Sequence, residues 1–483
     1  MALKQVKFLP GVDKQNTTVG ATARWIDSDN VRFRYNLPEK VGGWSSLLST
    51  TISGVARKTH AFVDLEGNRY VAIGTNKSLL IYFEGQLYDI TPIKTTLTSA
   101  TIATTSGSPT CTITKSTHNL AVGDIVQLDS VTLPGGTGYS NSDFEDKNFQ
   151  VITVPSTSTF TITQSSNASG TVSTGGSLSI KVFERVGPAE QTYGYGWGLE
   201  SWSTGNWGEA ASASNVTLEP GLWSLDNFGE VLIATIANGK TFTWNAGAAS
   251  AFANRASTTT TNFATGANPT STRLTLISPT TRHLIHMGTE TTIGNSATRD
   301  NMFIRFSDAE DINSYGTSSV NTAGSQRLQD GTKIIGALKA KETILIWTDN
   351  ALYTMKFVGA PFTFGFEQVG TNCGLIGKNA AVEVDGIAYW MSSNGFFLFD
   401  GTVKTLPCTV EDFVFENINR NKGQQVNAGL NNLFTEVVWY YPSSSSDFND
   451  KYVVFNFGES SISNSPVWYT GTEARTTWID ASV

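Results

Sequence analysis

Ile344-Leu-Ile-Trp-Thr-Asp-Asn-Ala-Leu-Tyr353 and Ile387-Ala-Tyr-Trp-Met-Ser-Ser-Asn-Gly-Phe-Phe-Leu-Phe399 share one plan. An apolar run, a polar turn and a second apolar run follow each other, the signature of a β-hairpin. Trp347 and Trp390 stand 43 positions apart, close to the ~40–50-residue period of propeller blades. Other copies lie outward in both directions. Val71-Ala-Ile-Gly74 leads through Thr-Asn-Lys to Ser-Leu-Leu-Ile-Tyr82, and Val231-Leu-Ile-Ala234 leads through the Asn238-Gly239 turn to Thr241-Phe-Thr-Trp244. Met302-Phe-Ile-Arg-Phe306 and Tyr452-Val-Val-Phe-Asn-Phe457 are looser copies. A lone hairpin cannot bury its face, so several must pack against each other around an axis. The expectation is an all-β fold, a β-propeller of about six blades. Five or seven blades would leave a similar trace, and unrelated hairpins in sandwiches are the competing arrangement.

Two stretches break the period. From about Thr95 to Ile180 the chain is rich in Ser, Thr and Gly, with Cys111-Thr-Ile-Thr and Phe160-Thr-Ile-Thr alternating as half-buried strands do. This predicts a small inserted β domain. Ala246 to Thr281 carries Thr258-Thr-Thr-Thr261 and little apolar content, which reads as a long loop reaching toward another subunit. The expected organisation is a docking strap over 1–50, the first part of the propeller over 51–94, the insertion over 95–182, and the rest of the propeller over 183–483 with the loop at 246–281. Helix is expected over Val410 to Arg420, where Val410, Phe413, Val414 and Ile418 share a face. A weaker helical signal covers Lys333 to Lys341, interrupted by Gly336.

Charged residues make up only 15% of the chain, which suits surfaces covered by neighbouring subunits. A net charge of −8 and a pI near 5.2 argue against sequence-specific nucleic-acid binding, which needs a basic footprint. Cys111, Cys373 and Cys408 are widely spaced with no C-x-x-C, indicating reduced thiols and no zinc site. The opening Met-Ala-Leu-Lys-Gln-Val-Lys-Phe-Leu-Pro lacks the apolar core of a secretory signal, and no run of ~18 apolar residues occurs. Assembly in a reducing cytoplasm, with no membrane span, is expected.

Catalytic chemistry finds few candidates. His283 and His286 fall on opposite faces of a strand-like run, and His60 and His118 stand alone. Acidic groups cluster at Asp308, Glu310 and Asp311, at Glu411 and Asp412, and at Asp447 and Asp450, and a glycosidase would need two such carboxylates across a pocket. The turn before Lys240-Thr-Phe242 has Thr235 and Ala237 where sialidase-type repeats carry Ser and Asp. No G-x-x-x-x-G-K-[ST] loop occurs. The chain is expected to be no enzyme and to use no cofactor or metal.

Arg24, Arg32 and Arg34 crowd an amino-terminal stretch with Trp25, Phe33 and Tyr35. Such groups could contact DNA by charge and stacking. In so acidic a chain they are expected instead to dock the strap on the propeller or a neighbour.

Gly11-Val12, Arg24-Trp25, Asn30-Val-Arg-Phe33 and Val41-Gly-Gly-Trp44 together resemble the start of the tail nozzle proteins of short-tailed bacteriophages, also called tail tubular protein B or packaged-DNA stabilisation proteins. Two further stretches are similar to that family's middle section. One is Tyr193-Gly-Tyr-Gly-Trp197 with Trp202 and Gly205-Asn-Trp207; the other is Trp223-Ser-Leu-Asp226-Asn-Phe-Gly-Glu230. The phrase His118-Asn-Leu-Ala-Val-Gly-Asp124 is similar to small β modules of virion proteins. The resemblance covers most of the chain in layout, with sharp motifs in three patches. It implies a structural virion protein on a propeller platform. Six copies would form a homo-oligomeric ring beneath the adaptor or portal, with tail fibres or spikes outside. The ring would retain packaged DNA and pass it during ejection, without sequence-specific binding. A DNA passage through such a ring should be neutral or acidic, because symmetry multiplies every lysine into a brake. No catalytic residues come with the family. A carbohydrate- or receptor-binding propeller, with Trp197, Trp202 and Trp207 as sugar platforms, is the alternative.

Overall fold

The computed structural model describes residues 8–191, 219–258 and 268–481. It divides into two compact units, one drawn from 1–88, 186–251 and 258–483, the other from 89–185 and 252–257.

The larger unit is a six-bladed β-propeller. Its blades are antiparallel meanders in chain order. The first runs Ala56–Val63, Arg69–Thr75, Leu79–Phe83 and Gln86–Asp89. The second has three described strands, Trp223–Phe228, Val231–Ile236 and Thr241–Asn245. The third runs from Thr272–Ile277 to Gly324–Arg327, and the fourth from Ile334–Ala340 to Thr363–Thr371. The fifth runs from Ala381–Val384 to Val403–Thr405, and the sixth from Asn427–Asn431 to Trp468–Thr472. All six hairpin copies read from the sequence fall in different blades. The first strands of successive blades touch one another around the axis. The ring closes where the Thr59 hydroxyl of the first blade meets the Trp478 carbonyl that follows the sixth, at 3.4 Å.

The repeated tryptophans explain the period. Trp347, Trp390 and Trp439 each sit on the second strand of their blade and are fully buried. The rings of Trp347 and Trp390 meet edge-on at 5.4 Å, so one residue type fills the wedge between adjacent blades. Trp390 donates to the Cys373 carbonyl at 2.8 Å and Trp439 to that of Ala380 at 3.0 Å. These two indoles thereby satisfy their N–H groups while burying their carbons.

The smaller unit is a seven-stranded antiparallel sheet built on two twelve-residue strands, Ile93–Thr104 and Val172–Phe183. The two Thr-Ile-Thr strands pair, with Phe160 opposite Ile113 and Ile162 opposite Cys111, and all four side chains are buried. Phe252–Ser257 belongs to this unit: the Ala256 N–H donates to the Ile90 carbonyl, and Arg255 pairs with Asp89 at 3.1 Å.

Three expectations need correction. The stretch 246–281 is no continuous loop, because Thr272–Ile277 is the fully buried first strand of the third blade. Its alternation of Thr with Leu was masked by the Thr-rich residues before it. Lys333 to Lys341 contains a strand, with Leu338 opposite Leu345, and Gly336 serves close packing: a Cβ there would stand 2.8 Å from both Leu375 Cδ2 and the Lys378 carbonyl oxygen. The helix expected over Val410 to Arg420 is shorter, Glu411–Asn417, with Val414 buried at its centre. Among the described residues no helix is long and apolar enough to cross a membrane.

Candidate functional site

Strand alternation builds a polar cavity on the propeller axis. Side chains at i and i+2 of a strand share a face, so the first strands of four blades each send such a pair, polar or small, inward. They are Lys58 with His60, Ser224 with Asp226, Ala337 with Lys339, and Ala381 with Glu383. Lys378, Asn427, Trp347 and Trp478 also line the cavity, whose volume is about 380 Å³.

Asp226 is the hub of this wall. It accepts from Lys339 Nζ at 2.7 Å and from the Ile277 N–H at 2.7 Å, linking the second, third and fourth blades. Lys378 Nζ donates to the Ser224 hydroxyl at 2.7 Å. The Asn227 amide nitrogen donates to the Gly229 carbonyl, so its oxygen accepts from His60 Nε2 at 2.9 Å. Burial pushes the His60 imidazole below its ordinary value and holds it neutral. Burial also lowers the ammonium of Lys58 and drives that of Lys378 well down, because the surface these side chains retain faces the cavity. Lys58 feels the opposed fields of Asp226 and Lys339 but makes no ion pair or hydrogen bond of its own among the described residues. Nearby, Glu219 accepts from Arg273 at 2.8 Å and from Lys333 at 3.3 Å, and those two cations hold its carboxyl at about 2 against the cost of burial.

The amino-terminal arginines face the sixth blade. Arg32 lies over the Phe434 ring at 3.4 Å. Its Nη2 donates to Glu436 at 3.2 Å, while its Nε stands 3.1 Å from the other carboxylate oxygen at an angle that makes a charge contact and no hydrogen bond. Tyr469 donates a short hydrogen bond to the same carboxylate. Arg24 reaches Ser465 and the Pro466 carbonyl, and Arg34 lies 5.5 Å from the Phe434 ring. Trp25 packs between Phe8 and Phe33, and Trp44 meets Trp478 edge-on at 5.3 Å. Around them, Val12 N–H donates to the Trp468 carbonyl, and the Tyr35 and Asn36 N–H groups donate to Glu459.

Trp223 is fully buried and ties the second blade to the first, donating to the Thr75 carbonyl at 2.8 Å across Gly74. Trp197, Trp202 and Trp207 lie outside the described residues. The structure therefore brings Asp226 into the axial cavity and Arg24, Trp25, Arg32, Arg34 and Trp44 into the strap.

The other groups weighed for chemistry hold structural bonds. His283 bonds Thr281 and Thr322, whereas His286 bonds Thr272 and Tyr315, and burial pushes His286 to about 3. Asp308 caps Ala309 and Thr322, and Asp450 accepts from Ser443. Burial raises the Cys111 and Cys373 thiols to about 11 and lifts that of Cys408 well above its ordinary value, so all three stay protonated. In the smaller unit Asp129, Glu145 and Asp146 converge, but Lys181 pairs with Asp129 and two backbone N–H groups hold Glu145.

Sequence reasoning missed Lys58, Lys339, Lys378 and Glu219. For Lys58 and Lys339 the readable signal was a lysine inside a strand, as in Lys58-Thr-His60 and Ala337-Leu-Lys339, whereas Lys378 and Glu219 lie outside the strands and gave none.

No family model and no curated protein matches the chain. Among solved structures it is similar to a computationally designed protein, Ika8, at 7% identity over 90% of this chain and 93% of that one, with a TM-score of 0.36. It is also similar to the phage phi92 endosialidase at 12% identity, over 84% of this chain and 55% of that one, with a TM-score of 0.22. A third is the extracellular domain of the putative one-component system BT4673 from B. thetaiotaomicron, at 12% identity over 80% and 38%, with a TM-score of 0.29. The chain spans about half the length of the endosialidase and less of the last. At such values no function passes from these proteins to this one.

Proposed function

We propose that the chain is the nozzle subunit of a short phage tail, a non-enzymatic ring component that retains packaged DNA and passes it during ejection. The observation that carries this reading is the two-sided strap. Its inner side holds the residues that resemble the nozzle opening: Val12 and Phe33 are buried, Asn30 accepts from Tyr452, and Arg32 meets Glu436. Its outer side leaves Val19, Tyr35, Leu37, Trp44 and Leu47 exposed. Several large apolar side chains left exposed on one docked segment suit a surface that a neighbour covers. A closed ring would bury the same patch in every copy.

The axial cavity has the size of a small-molecule pocket. The genome would therefore pass between copies, around the axis of the ring. The propeller, on this reading, is a wall of the conduit. Its strand-paired blades would hold position while DNA moves.

Native mass spectrometry of the purified protein, alone and mixed with the adaptor of its phage, tests the reading. A ring of six copies, formed alone or on the adaptor, is expected. A monomer at all concentrations, with no adaptor binding, refutes it. Part of the 246–281 stretch would narrow the channel as a gate, and shortening only 259–267 tests this, since Thr272–Ile277 is a blade strand. Virions carrying that deletion should leak DNA, and full retention removes the gate.

A further inference from the structure

We propose that the axial cavity binds a small hydroxylated anion, a carboxylate or phosphate carried on a hydroxyl-bearing body no larger than a monosaccharide. The proposal is independent of the nozzle reading.

The first argument is charge. Three lysine side chains, Lys58, Lys339 and Lys378, line one cavity with two carboxylates, Asp226 and Glu383. Asp226 is fully engaged by Lys339 and the Ile277 N–H, and Glu383 accepts from the Gly386 N–H. Lys378 has a neutral hydroxyl as its partner. Lys58 has neither ion pair nor hydrogen bond among the described residues. Enclosed ammonium groups cost stability unless they are paired. A fold that keeps them side by side, on separate blades, presents a site for an anion.

The second argument is hydrogen bonding, and it is independent of charge. Trp347 and Asn427 are among the residues lining the same cavity and are at least nine-tenths buried, and the Trp347 Nε1 and Asn427 Oδ1 atoms are enclosed without a hydrogen-bond partner among the described residues. Trp347 Nε1 is a donor, and in the other blades Trp390 and Trp439 give the same atom to a backbone carbonyl. Asn427 Oδ1 is an acceptor. Buried groups of this kind are almost always satisfied. A simple inorganic anion could answer the lysines and the indole, but the Asn427 oxygen needs a donor. A hydroxyl on the ligand supplies it. The volume of about 380 Å³ sits at the lower end of the range for small-ligand pockets.

Calorimetric titration of the full chain at low ionic strength tests the proposal, with D-glucuronate and glucose 6-phosphate as probes and D-glucose and inorganic phosphate as controls. At least one of the two charged sugars should bind, and bind more tightly than either control. Glucuronate ahead of glucose 6-phosphate assigns a carboxylate, and the reverse assigns a phosphate. The Lys58→Met variant should weaken that binding about tenfold or more, the worth of one charged hydrogen bond. Its melting temperature should hold or rise, because an enclosed unpaired charge has been removed, so lost binding cannot be put down to misfolding. Binding by neither charged sugar overturns the proposal. So does glucose binding equally well, inorganic phosphate binding equally well (a mere anion trap), or undiminished binding by Lys58→Met.

Discussion

Replacing Arg32 by Met should loosen the strap without unfolding the propeller. Arg32 and Glu436 are 8% and 1% exposed, so the variant strands a carboxylate in the protein interior. Removing one partner of a buried pair costs about 3–5 kcal/mol. Tyr469 and Asn431 still donate to Glu436, which places the cost near the lower bound. The strap's remaining ties, among them those at Val12, Arg24, Asn30, Tyr35, Asn36 and Trp44, are single contacts to the sixth blade and the segment after it, so undocking is the direct way for the stranded carboxylate to regain water. About 3 kcal/mol raises the undocked population roughly a hundredfold. Limited proteolysis within the strap, under conditions where opening and closing outpace cleavage, should accelerate by about the same factor. The pH dependence has a definite sign. Burial raises the Glu436 carboxyl above its ordinary value, and Arg32 is among the groups that pull it back. A carboxyl raised in the folded state contributes stability that is present below its unfolded value and lost as pH rises through its folded value. Without Arg32 the rise is larger, so the deficit should be greatest at neutral pH and shrink toward pH 4. The Arg32→Met, Glu436→Gln double variant should recover much of the loss. Wild-type cleavage rates at pH 7, or a deficit that grows on acidification, would refute the reasoning.

Gly74→Ala should destabilise the chain by about 1–3 kcal/mol, because its Cβ would stand 2.5 Å from Trp223 Cδ1, and the denaturant midpoint reads this directly. Trp223→Phe should cost a similar amount through the lost hydrogen bond to Thr75 and the volume left behind. Glu219→Gln tests the buried ionic node. The wild-type carboxyl is lowered from 4.5 to about 2, so its stabilisation is present above 4.5 and lost as pH falls toward 2. The variant should be less stable by about 3 kcal/mol at pH 7, and urea titrations at successively lower pH should show the gap closing. A gap that is constant with pH would remove the electrostatic explanation.

The blades were legible because each contains a hairpin whose two strands pair locally. Val231-Leu-Ile-Ala234 and Thr241-Phe-Thr-Trp244 join at Asn238, which adopts the positive φ such a turn requires. The tryptophans at 347 and 390 were legible as a period because they do one physical task twice. What resisted reading was the first strand of several blades. Thr272–Ile277 and Ile334–Ala340 lie next to the axis and carry residues that serve neighbouring blades, so their patterns answer to distant chain. Gly336 looked like a helix interruption and is a clearance for the Lys378 backbone. The strap arginines were readable as docking groups from their aromatic company, but Glu436, more than four hundred residues away, was not.

The same logic accounts for the axial cavity. A strand carrying one charge toward its inner face looks like a half-solvated edge, and nothing local says that four such strands converge. Only closure of the ring turns Lys58, Asp226, Lys339 and Glu383, on four blades, into one wall. The chemistry there is a property of the topology. The exposed strap of apolar residues is likewise visible only once the opposite side of the same segment has been committed to the sixth blade. On the proposed reading the propeller separates two tasks: its axis gathers charge that no single blade could bury alone, and its strap would offer apolar surface to a neighbour. Changing Lys58 should then leave ring assembly untouched, and changing Leu37 or Leu47 to Asp should weaken assembly while leaving the cavity's binding intact. Native mass spectrometry and calorimetry on the same two variants decide this. Either substitution disturbing both readouts would show that axis and rim are coupled, and the division of labour would fail.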